Sequence, residues 1–337
     1  MDPGLFALQT FIEYGLGNIA ASYISTKFTD FKNRLWKEDL KLLAENQSEA
    51  LKVLIPPDTV ASREIEIGNT IRQKIVFQET RKLDNVMSTS MKAVPLLQGK
   101  KPPDVEPDHD FVAEFFSCVQ NVSSDQMQEI WARLLAGKIM HPGSYSIRTV
   151  TVLKNMDTHV ADVFAKFCSQ CFRAPRMGPF ARGFALNPRG SRPAAGVLHK
   201  AGLEYHEKML LNEYGLTTFA GIPAIDLDRL VLRQDNNNVY WPEFQGKEWL
   251  LIAENPESTT SHTGKIDSDM LSTAGNQLFS LVKVVSDDSY LAAMRKFLRA
   301  SGILLVDLDT LEAFDFNEQQ EQLIMNHSLL KKIRSSK

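Results

Sequence analysis

"DQMQEIWARLLAGKIMHPGSYSIRTVTVLKNM", residues 125–156, carries the clearest helical pattern in the chain. Met127, Ile130, Leu134 and Ile139 recur at helical spacing and mark one apolar helix face, with Trp131 as a core anchor beside it. Pro142-Gly143 ends that helix, because proline has no amide hydrogen to donate. Ser144 or Ser146 can cap a following helix that runs through Leu153. Upstream, Ser123 with Gln126 three residues on reads as a capping box. The stretch is a helix–corner–helix unit almost devoid of residue types that do chemistry. Trp131, Pro142, Gly143 and Ser144 therefore read as a structural motif, a way of packing rather than an active site.

Working upstream, the spacing predicts a long helix over "VASREIEIGNTIRQKIVFQETRKLDNVMSTSMKAV", with Ile67, Ile71, Ile75, Leu83, Val86 and Met87 on one stripe. Pro56-Pro57 closes an earlier helix from Trp36 to Val53. The first segment places Leu5, Leu8, Ile12, Leu16, Ile19 and Tyr23 on one face. The simplest reading is a helix buried against its neighbours. A helix lying in a membrane surface is the alternative, but such helices carry Lys and Arg on the polar face, and this one has none before Lys27. Gln9, Glu13, Asn18 and Ser22 interrupt it, so a membrane span is not expected.

Downstream, Asp157 caps "DTHVADVFAKFCSQCF". The composition then changes. Residues 173–196 hold Arg173, Arg176, Arg182, Arg189 and Arg192 among closely spaced prolines and glycines, with no acid between Asp162 and Glu204. This is expected to be an irregular arm. Beyond it come a helix ending at Gly215, a hairpin turning at Asn236-Asn237-Asn238, and a strand "KEWLLIAEN". A helix capped at Ser268, a helix stopped by Gly302, the strand "ILLVDLD" and a final helix follow. The expected organisation is an N-terminal helical region (1–97), a proline-rich charged linker (98–110), the helix–corner–helix domain (111–172), the arm (173–196) and a C-terminal part (197–337). The expected fold class is mainly α with a smaller α+β part, a multi-helix domain followed by a winged-helix-like one.

The formal net charge of -3 provides no global attraction to nucleic acid or anionic lipid, so such binding needs a local patch. Three cysteines argue against a disulfide framework and for a reducing compartment. With an acid at position 2 and no basic leader, the expectation is a cytoplasmic protein.

The central stretch, "MQEIWARLLAGKIMHPGSYSIRTVTVLKNM", resembles the bacterial domain-of-unknown-function family 2806, whose pattern is a "lWa.iLAgE" helix, a "PGsfS" corner and an "rtl..L" segment. "RQKIVFQETRKLDNVMSTSMKAV", "MLLNEYGL" and "DMLSTAGNQLFSLV" are similar to further segments of that family. The sequence departs from the pattern at Lys138, where an acid is usual, and the arm has no counterpart in it. The resemblance implies no catalytic residues. It associates the chain with bacterial antiviral defence without supplying a mechanism.

Candidates for chemistry are few. Cys168 and Cys171 form one CxxC, whereas a closed zinc site takes four ligands. "SHTGKI" lacks the first glycine and the hydroxyl residue of a phosphate loop. Asp235 followed by Gln245 and Lys247 matches the acid and Gln-x-Lys tokens of a metal-dependent nuclease, in which acids hold a cation and lysine orients water. The stronger expectation is binding. The arm's arginine forks suit phosphates, and Phe180 and Phe184 suit stacking on bases. The sequence is thus read as a non-enzymatic binding or regulatory module without a cofactor, contacting nucleic acid or a protein partner and open to homo-oligomerisation. A membrane-acting effector and a weak nuclease are the alternatives.

Overall fold

The computed structural model describes residues 60–100, 103, 108–173, 182–188, 196–218, 224–234, 239, 241–256 and 265–326. The helices expected before residue 60 lie outside them. The described residues fall into two compact units that divide between Lys154 and Asn155.

The first unit is helical: α1 (Val60–Leu97), α2 (His109–Val119), α3 (Asp125–Met140) and α4 (Ile147–Asn155). Val86, Ala93 and Leu97 of α1 are buried, and their seven- and four-residue steps keep them on one face. Polar pairs run beside that seam. Asn85 Nδ2 donates to the Gln120 carbonyl at 2.9 Å, and Ser88 Oγ and Lys92 Nζ donate to Gln128 Oε1 at 2.7 and 3.1 Å. Lys92 also pairs with Asp125. Asp108 caps α2 by accepting from the Asp110 amide. Its Phe115 ring meets Trp131 edge-on, with centroids 5.4 Å apart. Trp131 is fully buried.

The corner after α3 is held from three sides. Lys138 is buried, donates to the Tyr145 carbonyl at 2.8 Å and lies over the Phe111 ring. Burial lowers its pKa, opposed by the charge of Asp108. The Tyr145 ring covers Gly137, where a methyl group would come within 2.8 Å of ring atoms. Ser146 accepts from the Thr149 amide and caps α4. Gly143 stands clear, with nothing within 4 Å of a methyl group at that position.

The second unit opens with α5 (Thr158–Ser169), capped by Asp157, whose Oδ1 accepts from the Val160 amide at 2.8 Å. Its strands are β1 (Phe172–Arg173), β2 (Phe184–Leu186), β3 (Thr217–Thr218), β4 (Ala224–Asp226), β5 (Val231–Leu232), β6 (Glu243–Phe244), β7 (Lys247–Ala253), β8 (Lys265–Leu271) and β9 (Ile303–Asp307). They form one nine-stranded sheet with the path β3-β8-β2-β1-β6-β7-β5, to which β4 adds on β8 and β9 on β7. Every pairing is antiparallel except β5 with β7. Five helices accompany the sheet: α6 (Val197–Lys200), α7 (Tyr205–Glu213), α8 (Thr273–Phe279), α9 (Asp288–Ala300) and α10 (Glu318–Asn326). Phe172, Phe184, Phe244 and Tyr290 pack as an aromatic core, the Phe172 and Phe244 centroids 4.5 Å apart. Buried Gln320 ties α10 to the sheet by donating to the carbonyls of Ala253 and Glu254.

This sheet overturns the winged-helix-like expectation. The unit is built on nine strands, four of only two residues, and so short a strand shows no alternation in sequence. The expected hairpin does not form between its proposed arms, because β5 pairs with β7 in parallel (Val231 with Leu251, Leu232 with Ile252). A two-residue or three-residue turn cannot join parallel neighbours. The Asn-rich turn lies outside the described residues. Ser268 does not cap a helix either: it is buried in β8, and Ser272 is the cap, accepting from the Gly275 amide at 2.9 Å. Gly275 packs against the Leu216 carbonyl so closely that a methyl group would reach 1.9 Å from its oxygen.

Gly137→Ala is expected to lower stability by about 1–3 kcal/mol, because Tyr145 must leave its place on α3. Gly143→Ala in the same corner should change it by less than about 0.5 kcal/mol, as for other unconstrained surface positions. Urea unfolding of the two variants checks the contrast.

Candidate ligand cleft

A cleft of about 430 Å³ opens in the second unit between the end of β2 and the turn joining α6 to α7. Leu198 and Leu203 give it an apolar floor, fixed by the Leu203 amide donating to the Leu198 carbonyl at 2.9 Å. Between them the chain turns at Gly202, whose φ of 83° is left-handed and favours glycine. Lys166 reaches the Gly202 carbonyl and holds the turn from α5. Glu204 then caps α7 in a reciprocal box with Glu207, which accepts from the Glu204 amide at 2.6 Å.

The polar wall is organised by Asp269 on β8. Its Oδ2 accepts from Lys208 Nζ at 2.7 Å and from Asn187 Nδ2 at 3.0 Å. The Lys208 and Asp269 side chains are 13% and 17% exposed, so this pair is largely removed from water. Deleting one partner of such a pair leaves an uncompensated charge, at a typical cost of about 3–5 kcal/mol. Asn187 follows β2 directly, and its amide donates to the Asp267 carbonyl at 2.8 Å. Its carboxamide oxygen is buried and has no hydrogen-bond partner among the described residues. Across the cleft, His199 Nδ1 lies 3.1 Å from Glu204 Oε2, both half-exposed. Tyr205 stands at the mouth, 69% exposed.

The residues singled out in the sequence are elsewhere. Arg173 sits in β1 opposite Glu243, with its guanidinium 4.2 Å from the Phe279 ring centroid. Arg182 is exposed just before β2, and Phe184 is buried within it. Arg176, Arg189, Arg192, Phe180 and Asp235 lie outside the described residues. Gln245 and Lys247 flank Gly246 in the β6–β7 turn, where Gln245 itself has a φ of 54°. The Gln245 carboxamide donates to the Ser169 carbonyl and accepts from Ser286. Lys247 pairs with Asp307 at 2.6 Å. Cys168 and Cys171 are both buried, and burial pushes each thiol well above its ordinary pKa. Among the described residues no three His, Cys, Asp or Glu side chains converge as a metal set. No helix among them is long and apolar enough to cross a membrane. Pro142 and Ser144 are half-buried in the corner of the first unit, far along the chain from the cleft residues.

Sequence reasoning passed over Asn187, His199, Glu204, Tyr205, Lys208 and Asp269. They come from four separate elements, and no local spacing links them. Asn187 is hidden inside the arginine-rich stretch.

A helical unit followed by a sheet unit with a mainly apolar cleft defines the class of architecture. The chain matches the family described as "Protein of unknown function (DUF2806)" over residues 69–295, and it belongs to that family. No curated protein and no solved structure matches it.

Two carboxylates outside the cleft make stability depend on acid. Burial raises the pKa of Asp307, but the hydrogen bonds from Lys247 and the Asp309 amide, with the Lys247 charge, outweigh it and hold the carboxyl below its ordinary value. Asp287 behaves alike, its burial outweighed by hydrogen bonds from Gln170, the Tyr290 amide and Ser289. A folded pKa below the unfolded one gives stability that is complete above about pH 4 and fades as pH falls through the lower folded value. Urea midpoints should therefore drop as pH falls below about 4, and Asp287→Asn should flatten the drop while lowering the plateau.

Proposed function

We propose that the protein is a binding module whose second unit holds a small polar molecule in the cleft between β2 and the α6–α7 turn. The observation that carries this reading is the cleft itself, about 430 Å³ with Leu198 and Leu203 as its floor and His199, Glu204, Tyr205 and Lys208 along its sides. The cleft's volume falls within the usual range for small-molecule sites, and its mixture of apolar floor and a few fixed polar groups is the usual lining.

The groups around it favour holding over reacting. Lys208 is engaged by Asp269, and His199 lies beside Glu204. Phosphate recognition by the arginine-rich stretch has less behind it: Arg173 is committed to Phe279, which leaves Arg182 as the exposed arginine of that stretch among the described residues. A regulatory part, with defence against phage as one setting, is in keeping with a module that binds a signal molecule.

A thermal-shift screen against small polar metabolites tests the reading, run in parallel on the natural chain and Tyr205→Ala. A ligand at about one hundred times its Kd adds about 2.7 kcal/mol to stability, enough to raise the Tm by several degrees. Compounds that shift the natural chain and not the variant support the cleft. A screen in which every shift is the same for both chains sinks it.

A further inference from the structure

We infer that the end of α5 is a relay through which the loop before α9 governs the turn that floors the cleft; the regulation rests on the binding reading above, whereas the relay itself does not. Gln170, the residue after α5, is fully buried. Its Nε2 donates to the Ala201 carbonyl at 3.2 Å and to Asp287 Oδ2 at 2.8 Å. Ala201 opens the turn between α6 and α7, and Asp287 caps α9. One carboxamide thus joins two segments that are far apart in the chain.

The charge of Asp287 decides which way that carboxamide faces. A carboxylate only accepts hydrogen bonds, so it holds the NH2 end toward itself and toward the Ala201 carbonyl. The other end offers no competing hold, because Oε1 is buried and has no hydrogen-bond partner among the described residues. Turned over, the carboxamide would set its oxygen against the carboxylate and the carbonyl together. Withdrawing Asp287 removes part of what forbids that state.

The loop before α9 meets the end of α5 at a second point. Ser286 is exposed and donates to Gln245 Oε1 at 3.1 Å, while Gln245 Nε2 donates to the Ser169 carbonyl at 3.1 Å. Gln245 has a φ of 54°, a conformation uncommon outside glycine that persists where its surroundings fix it. Lys166, one turn earlier on α5, adds the bond to the Gly202 carbonyl. The loop before α9, the β6–β7 turn and the cleft turn therefore converge on the same few residues. Displacing the loop frees Gln170, and with it the turn that carries Leu203, Glu204 and Tyr205 into the cleft.

Hydrogen exchange on the full chain without ligand tests the relay. The Gly202 and Leu203 amides close the cleft turn on the His199 and Leu198 carbonyls, each at 2.9 Å, and report its opening. Asp287→Ser keeps a capping hydroxyl for α9 but is too short to hold Gln170. It should speed exchange of both amides by about tenfold, as for the loss of one hydrogen bond to a charged group, and by more than it speeds the buried amides of β7. Gln170→Ala should do the same, and adding Asp287→Ser to it should bring no further increase at the turn, because the relay is already cut. Turn amides that exchange no faster in Asp287→Ser, or that quicken no more than those of β7, overturn the inference. So does a double variant in which the two effects add. A screen in which no compound binds would sink the cleft's function and leave these rates untouched.

Discussion

A carboxylate set into the middle of a strand constrains the second unit more than any other feature. β8 reads Lys-Ile-Asp-Ser-Asp-Met-Leu, so Asp267 and Asp269 share one face while Ile266 and Ser268 are buried on the other. Asp269 is nevertheless mostly shielded from water, and a shielded charge is tolerated only when it is paired and hydrogen-bonded. Lys208 arrives from α7 and Asn187 from the end of β2. One charge thus fixes three elements relative to each other. The cleft is the space left in front of that arrangement, with its floor set by the turn at Gly202 and its rim by the cap at Glu204.

The far side of β2 is fixed with equal economy of parts. Tyr290, fully buried on α9, donates its hydroxyl to the Leu186 carbonyl at 2.9 Å, one residue before Asn187. Burial pushes that hydroxyl well above its ordinary pKa, so it remains a donor throughout the physiological range. The same ring packs on Phe172 and Phe244. An α9 that shifted would break a hydrogen bond and open the aromatic core together, which makes the position of Asn187 a consequence of the core. In the first unit the corner after α3 follows a similar rule. Lys138 reaches the Tyr145 carbonyl across the turn and closes the corner.

How much of this was legible in the sequence depends on the range of the interactions. Caps and stops act over three or four residues, and Asp157, Ser146, Gly215 and Gly302 end or begin helices where their chemistry places them. The long strands β7 and β9 are apolar enough to declare themselves. The two-residue strands are not, because β1, β3 and β5 pair with partners distant in the chain, and β6 is too short to show alternation. β8 was masked by its own composition: Asp267, Ser268 and Asp269 resemble the polar start of a helix, and pairing with β2, β3 and β4 makes the segment a strand. The cleft residues were illegible for the same reason. Asn187 and Asp269 meet across 82 positions of sequence, and nothing in either neighbourhood announces the other. The family resemblance, by contrast, rests on a contiguous motif, and contiguous motifs are what a sequence shows best.

The distribution of reactive groups bears on what such a cleft does. Desolvation, aided by the Glu114 hydrogen bond and charge, pushes the Cys118 thiol up to about 12, and complete burial raises Cys168 and Cys171 well above the ordinary value. A thiol so shifted is protonated at neutral pH and is neither a nucleophile nor a ready metal ligand. Lys138 has its pKa lowered by burial, as catalytic lysines do, yet its nitrogen is spent on a carbonyl and faces an aromatic ring. Lys247 is drawn to Asp307, away from the Gln245 side chain that faces the Ser169 carbonyl. Among the described residues these cysteines are thus protonated, and Lys138 and Lys247 are engaged. A cleft whose lysine is already paired and whose tyrosine is exposed suits recognition, and that, more than any motif, directs the reading toward a ligand.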